Sequence, residues 1–147
     1  DGVPYELITK ALPTIEGEVN NILAQLVDFQ MLFEMDGKNI NNYIVYDDDN
    51  VWPLELSSGM ERFISSLAIR VGLINVSNLP RTNFLAIDEG WGTMDSDNIN
   101  SVYSLFQYLK SQFQFALIVS HIDSMRDAVD SLLEIKKENN FSNIKFD

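Results

Sequence analysis

The sequence predicts an α/β domain with a mostly parallel sheet flanked by helices, and three observations predict it. Two apolar runs, FLAI at residues 84–87 and FALIVS at 115–120, are continuous rather than alternating. Such runs suit strands covered on both faces, as in a parallel sheet. A helical stretch at 96–111 lies between them, so strand, helix and strand follow one another as in an α/β core. Upstream, LSSGMERF at 56–63 carries the Ser58-x-x-Glu61 spacing of a capping box. It opens a helix lined by Phe63, Leu67, Ile69, Val71 and Ile74, running to about residue 76.

Composition bounds the class. A chain of 147 residues suits one domain, long enough to bury roughly two-thirds of the surface its unfolded form exposes. Its 46% hydrophobic and 22% charged content is that of a globular protein rather than a disordered tail. No apolar run approaches the ~20 residues needed to span a bilayer, and no secretory signal opens the chain. The absence of cysteine excludes disulfides and thiolate metal sites. A soluble, intracellular protein with no membrane partner, cytoplasmic or nuclear, is the expectation. The net charge of −12 repels a phosphate backbone, which counts against a simple DNA-binding module.

The elements follow in order. Ile8, Leu12, Ile15, Val19, Ile22 and Leu26 recur at alternating spacings of four and three, the seam of a coiled coil or of a helix lying on a core. Pro13 is tolerated best in a first helical turn, so a break is expected near it, with the main helix from about residue 13 to 28. Residues 1–28 then form a helical lead-in, and 29–147 the α/β lobe. FQMLFEMD at 29–36 and INNYIVY at 40–46 read as a small hairpin around Gly37, followed by an exposed turn at Asp47, Asp48 and Asp49. After FALIVS, a short helix at about 122–128 precedes two further strands, LLEIKK and NIKF.

Chemistry concentrates at two strand ends. FLAIDEGWGTMD, residues 84–95, sets adjacent carboxylates Asp88 and Glu89 where a buried strand finishes. That edge faces the crevice in which α/β proteins bind ligands. In phosphoryl transfer one carboxylate can hold Mg²⁺ while its neighbour polarises the attacking water; a plain loop or capping pair is the blander alternative. Asp95 can cap the following helix. His121, the only histidine, directly follows the second buried strand, where a plain polar boundary residue is the blander alternative. Parallel pairing would bring both tips to one edge, setting His121 beside Glu89 within reach of a γ-phosphate. At the LSSGMERF tip, Ser57 precedes the box and Gly59 sits in the first turn, where glycine costs helix stability.

With these residues in view, the sequence resembles the SMC-like branch of the ABC ATPases, and within it the SbcC/Rad-fifty type of double-strand-break repair ATPase. FLAIDEGWGTMD is similar to that family's Walker B motif and D-loop, LIVSH to its switch-histidine strand, and SSGMERFISSLAIR to its signature motif and helix. The resemblance covers roughly residues 50–138. It implies that Asp88 coordinates Mg²⁺, Glu89 is the catalytic base, Asp95 communicates across a dimer and His121 senses the γ-phosphate. Ser58 and Gly59 would contact the γ-phosphate of ATP held on the opposite head, with Glu61 the acidic end of the motif. Met60 departs from the family's second glycine and puts a side chain where close backbone approach is expected.

No G-x-x-x-x-G-K-[ST] occurs, so no P-loop cradles the α and β phosphates. The resemblance therefore implies the C-terminal lobe of a split ATPase head, beginning near a coiled-coil exit and inactive alone. Its implied cofactors are ATP and Mg²⁺. Its implied partners are the N-terminal P-loop lobe, a second head, a nuclease, and DNA through the full assembly. Two alternatives stand beside it: an SMC-, RecF- or RecN-like ATPase of chromosome organisation, recombination or defence, and a non-catalytic interaction module.

Overall fold

A computed structural model describes residues 3–88 and 99–146. It opens with helix α1, Val3–Leu23. The expected break at Pro13 is absent, for Pro13 lies inside the helix on an exposed face. The carbonyl that its missing N–H would have paired, four residues back, therefore has water within reach. The helix also stops earlier than the seam implies, at Leu23 rather than residue 28. The chain then tightens into a turn in which the Leu26 and Val27 N–H groups donate to the Leu23 carbonyl at 2.8 and 2.9 Å.

Strands β1 (Gln30–Asp36), β2 (Asn39–Asp47) and β3 (Asn50–Pro53) form an antiparallel sheet in the order β1-β2-β3. The expected hairpin is its first two strands, turned by Gly37 at φ +58°, a conformation open to glycine without strain. The third strand arises because the acidic run is a turn that reverses the chain. The Asp47 carboxylate accepts from the N–H groups of Asp49 and Asn50 and from the Asn50 amide, an arrangement that favours turns over continued strand.

A 3₁₀ turn at Leu54–Leu56 leads into α2, Gly59–Val76. Both arms of the capping box are present: the Glu61 N–H donates to Ser58 Oγ, and the Ser58 N–H to the Glu61 carboxylate. Strand β4 (Phe84–Asp88) and strand β5 (Phe115–Val119) pair in parallel, joined through α3, Ile99–Gln112. A 3₁₀ segment at Asp123–Ala128 replaces the short helix expected there, and β6 (Leu133–Glu138) pairs antiparallel with β7 (Phe141–Phe146). The parallel pairing expected of the sheet is thus carried by β4 and β5, and the other described strands pair antiparallel. Among the described residues no helix is long and apolar enough to cross a membrane.

One core joins these parts. It takes Val19, Ile22 and Leu23 from α1, Met31 and Ile44 from the first sheet, and Ile64, Leu67, Ala68 and Val71 from α2. Ile87 of β4 and Leu105, Phe106 and Leu109 of α3 close it from the other side. Helices α1 and α2 meet where Gly72 faces Val19, and a Cβ at position 72 would stand 3.0 Å from Val19 Cγ2. The glycine permits the close approach.

Among the described residues the continuous apolar runs are not covered on both faces. Along β4 and β5 burial alternates, leaving Phe84, Phe115, Leu117 and Val119 at 49, 57, 46 and 47% exposure. Phe84 and Phe115 stack on each other at 5.5 Å.

Polar side chains of α1 fasten the first sheet. Asn20 Nδ2 donates to the Met31 carbonyl at 2.9 Å while Asn20 Oδ1 accepts from the Met31 N–H at 2.8 Å. One turn earlier, Glu16 Oε2 accepts from the Phe33 N–H at 2.7 Å.

This packing can be tested at two points. Replacing Asn20 by Leu strands a half-buried donor and acceptor on β1 and lowers stability by about 2 kcal/mol in chemical denaturation; an unchanged midpoint would show that water replaces the amide. Gly72→Ala stabilises a Val19→Ala background by about 1 kcal/mol, through helix propensity. It gives no such gain in the native background, where the new methyl meets Val19; equal effects in both backgrounds would refute the close approach.

Candidate nucleotide site

The signature-like tip is built by the start of α2. In any helix the first N–H groups have no carbonyl four residues back. Here the box uses two backbone donors: Ser58 N–H donates to Glu61 Oε2 at 2.6 Å and Glu61 N–H to Ser58 Oγ at 3.2 Å. The N–H groups of Gly59 and Met60 remain for water or a ligand. Gly59 adds no Cβ beside them, and the 18-residue helix presents its positive end there. That donor set suits a phosphate oxygen.

Ser57 has a separate structural task. It is buried, and its hydroxyl donates to the Leu54 carbonyl at 2.6 Å, closing the 3₁₀ turn that delivers the chain to the tip. Met60, the departure from the family pattern, is partly buried and packs against the core. With Ser58, Glu61, Tyr46 and the turn from Ala24 to Phe29 it walls a cleft beside the tip. Asp88 and His121 line no part of that cleft.

Glu61 has a partner that the sequence does not signal. The Tyr46 hydroxyl donates to Glu61 Oε1 at 2.8 Å, so each carboxylate oxygen holds one donor. Burial disfavours the charged form of Glu61, but the bonds from the Ser58 N–H and the Tyr46 hydroxyl outweigh it and keep its pKa below the usual value. Burial, followed by the bond to the Glu61 carboxylate, pushes the Tyr46 phenol up to about 12.

A second candidate group of residues lies at the β4–β5 edge. The parallel register pairs Phe84 with Phe115 and ends with Asp88 opposite Val119. Both strands therefore finish at the same edge, with Asp88 exposed at one tip and exposed His121 two residues beyond the other. The sequence expectation that these tips share an edge is met. Glu89 and Asp95 lie outside the described residues. An exposed strand-end carboxylate fits Mg²⁺, which keeps several waters and binds through one or two carboxylates plus phosphate oxygens.

No family model matches this sequence. It is 36% identical over 160 residues to an uncharacterised protein of Acanthamoeba polyphaga mimivirus, a match spanning 98% of this chain and 12% of that protein. It is 31% identical over 93 residues to the SbcC component of the SbcCD nuclease of Staphylococcus aureus, covering 60% of this chain and 9% of that one. The chain thus spans about a tenth of the length of these relatives. Its fold matches a solved structure from work on ATP-driven dimerisation and DNA-stimulated activation of SMC ATPases, at 15% identity and a TM-score of 0.76. That match covers 96% of this chain and 88% of the other. The chain thus has the fold of that SMC ATPase structure and is similar in sequence to the SbcC component over 60% of its length.

Proposed function

We propose that this chain supplies half of a composite ATP site in an SMC-like head that dimerises on ATP and regulates double-strand-break processing with a partner nuclease. The observation that carries the reading is the parallel register that ends β4 and β5 together, with Asp88 and His121 at one edge. On this reading Asp88 holds Mg²⁺ through its carboxylate and Glu89 accepts the proton of the attacking water. His121 contacts the γ-phosphate, and Asp95 reports across the dimer. Bound Mg²⁺ would neutralise phosphate charge; the rest of the chemistry belongs to these side chains.

The half-exposed apolar row Phe84, Phe115, Leu117 and Val119 supports a second lobe packed on the open face of this sheet. The P-loop lobe of the same longer protein fits, since the continuous apolar runs are those of a sheet covered on both sides. The α2 tip would serve a nucleotide on the opposite head, with the Gly59 and Met60 N–H groups and the Ser58 hydroxyl aimed at its γ-phosphate. ATP would close the head dimer, and hydrolysis would reopen it. The acidic chain leaves DNA contact to the rest of the assembly. A nuclease partner is supported by the staphylococcal relative's name. The SMC fold likeness supports a second reading, an SMC-type ATPase of chromosome organisation.

Mixing this chain with its P-loop lobe should give dimers that require both ATP and Mg²⁺, read by light scattering after size exclusion. Glu89→Gln should trap those dimers and lower turnover at least about a hundredfold, as loss of a general base does. No association at any ATP concentration would refute the head reading, and undiminished turnover in the variant would refute the role of Glu89. Co-purification of the full-length protein with a nuclease separates break processing from chromosome organisation.

A further inference from the structure

Tyr46 stands out among residues that the proposed mechanism leaves unused. It sits where the β2–β3 register shifts by one residue, between the pairs Val45–Val51 and Asp47–Asn50. Such bulges bend a strand locally. Alternation places position 46 on the face that Ile44 buries in the core, and Tyr46 stays on that face beside Trp52, the register partner of Ile44. It lies at the margin of the core, 44% exposed, and its hydroxyl reaches across to α2. Its ring is held from two sides, stacked on Trp52 at 5.4 Å and tilted against Phe29 at 5.6 Å.

The geometry points to Tyr46 as a positioning residue for the α2 tip, acting through Glu61 to hold the Ser58 backbone and hydroxyl in place for a nucleotide phosphate. This rests on the head-lobe reading. The Glu61 carboxylate has two oxygens and two anchors, Ser58 N–H at 2.6 Å and the Tyr46 hydroxyl at 2.8 Å. With both made, each carboxylate oxygen is engaged and the charge is shared between two hydrogen bonds. Without the phenol, one oxygen is released, the carboxylate rotates about its own bond to Ser58, and its negative charge competes with an arriving phosphate. Phe29 and the turn from Ala24 carry the same contact back to the end of α1, so the first sheet serves as the tip's abutment.

The test uses the full-length protein. Tyr46→Phe keeps both ring contacts and removes only the hydroxyl. It should raise the ATP concentration for half-maximal head dimerisation roughly three- to tenfold, the net worth of one ordinary hydrogen bond. Turnover at saturating ATP should stay near that of the unmutated protein, and amide exchange at Ser58 should quicken several-fold. Glu61→Gln should have its own cost, and adding Tyr46→Phe to it should add little, because the phenol acts through that carboxylate. Multiplying effects in the double variant, or a Tyr46→Phe protein matching the unmutated one in both ATP response and Ser58 exchange, would overturn the proposal. An unmutated protein with no ATP response would overturn the head reading first and this inference with it, a result distinct from equal responses of both proteins.

Discussion

The rest of the structure depends on how α1 is fastened to β1. Among the described residues strand β1 is an edge of its sheet, with no neighbouring strand on one side of its backbone. Glu16 and Asn20 fill that side, bonding the N–H groups of Phe33 and Met31 and the Met31 carbonyl. The match is metric. Four helical residues rise about 6 Å and two strand residues about 6.6 Å, so side chains one turn apart meet alternate residues of an edge strand. The helix thereby does what another strand would do, and the edge is closed against further pairing.

Fixing α1 in this way sets the position of α2 at both of its ends. Near the C-terminal end of α2, Gly72 lets its backbone approach Val19, one residue before the Asn20 clamp. At its start the first sheet reaches the helix through Tyr46 and Glu61. Between these ends Ile64, Leu67, Ala68 and Val71 bury themselves in the common core to which α1 and α3 also contribute. A helix held at both ends and along one side presents its N-terminal donors in a fixed direction, which recognition of a phosphate demands.

Much of this was legible in the chain, for local reasons. The Ser58–Glu61 spacing encodes the start of α2, and apolar runs encode β4 and β5, because caps and continuous burial leave their mark within a few residues. Pro13 misled because its effect depends on which face it occupies, and an exposed proline leaves a carbonyl that water can serve. Strand β3 was missed because four residues ending in proline carry too little pattern. Tyr46 gave no signal at all: its partner Glu61 is 15 residues away, and the rings that hold it, Phe29 and Trp52, come from elsewhere in the chain. Of the two strand tips, Asp88 and His121 were placed by a register the sequence only implied, while Glu89 and Asp95 fall outside the described residues.

Met60 can now be understood from the same tip. A glycine at that position would serve close backbone approach, but approach is blocked only by a side chain that points toward the incoming group. Met60 is instead partly buried against the core and forms a wall of the cleft next to the turn from Ala24 to Phe29. Its N–H stays at the helix tip while its side chain packs against the core, as a flexible, unbranched chain can. The departure from two glycines thus keeps both free donors and adds apolar packing beneath them. It also lowers the backbone freedom that a second glycine would carry in the unfolded chain. The tip is made stiffer by the substitution, and a stiffer tip that caps itself through Glu61 when empty has less ordering left to do when a phosphate arrives.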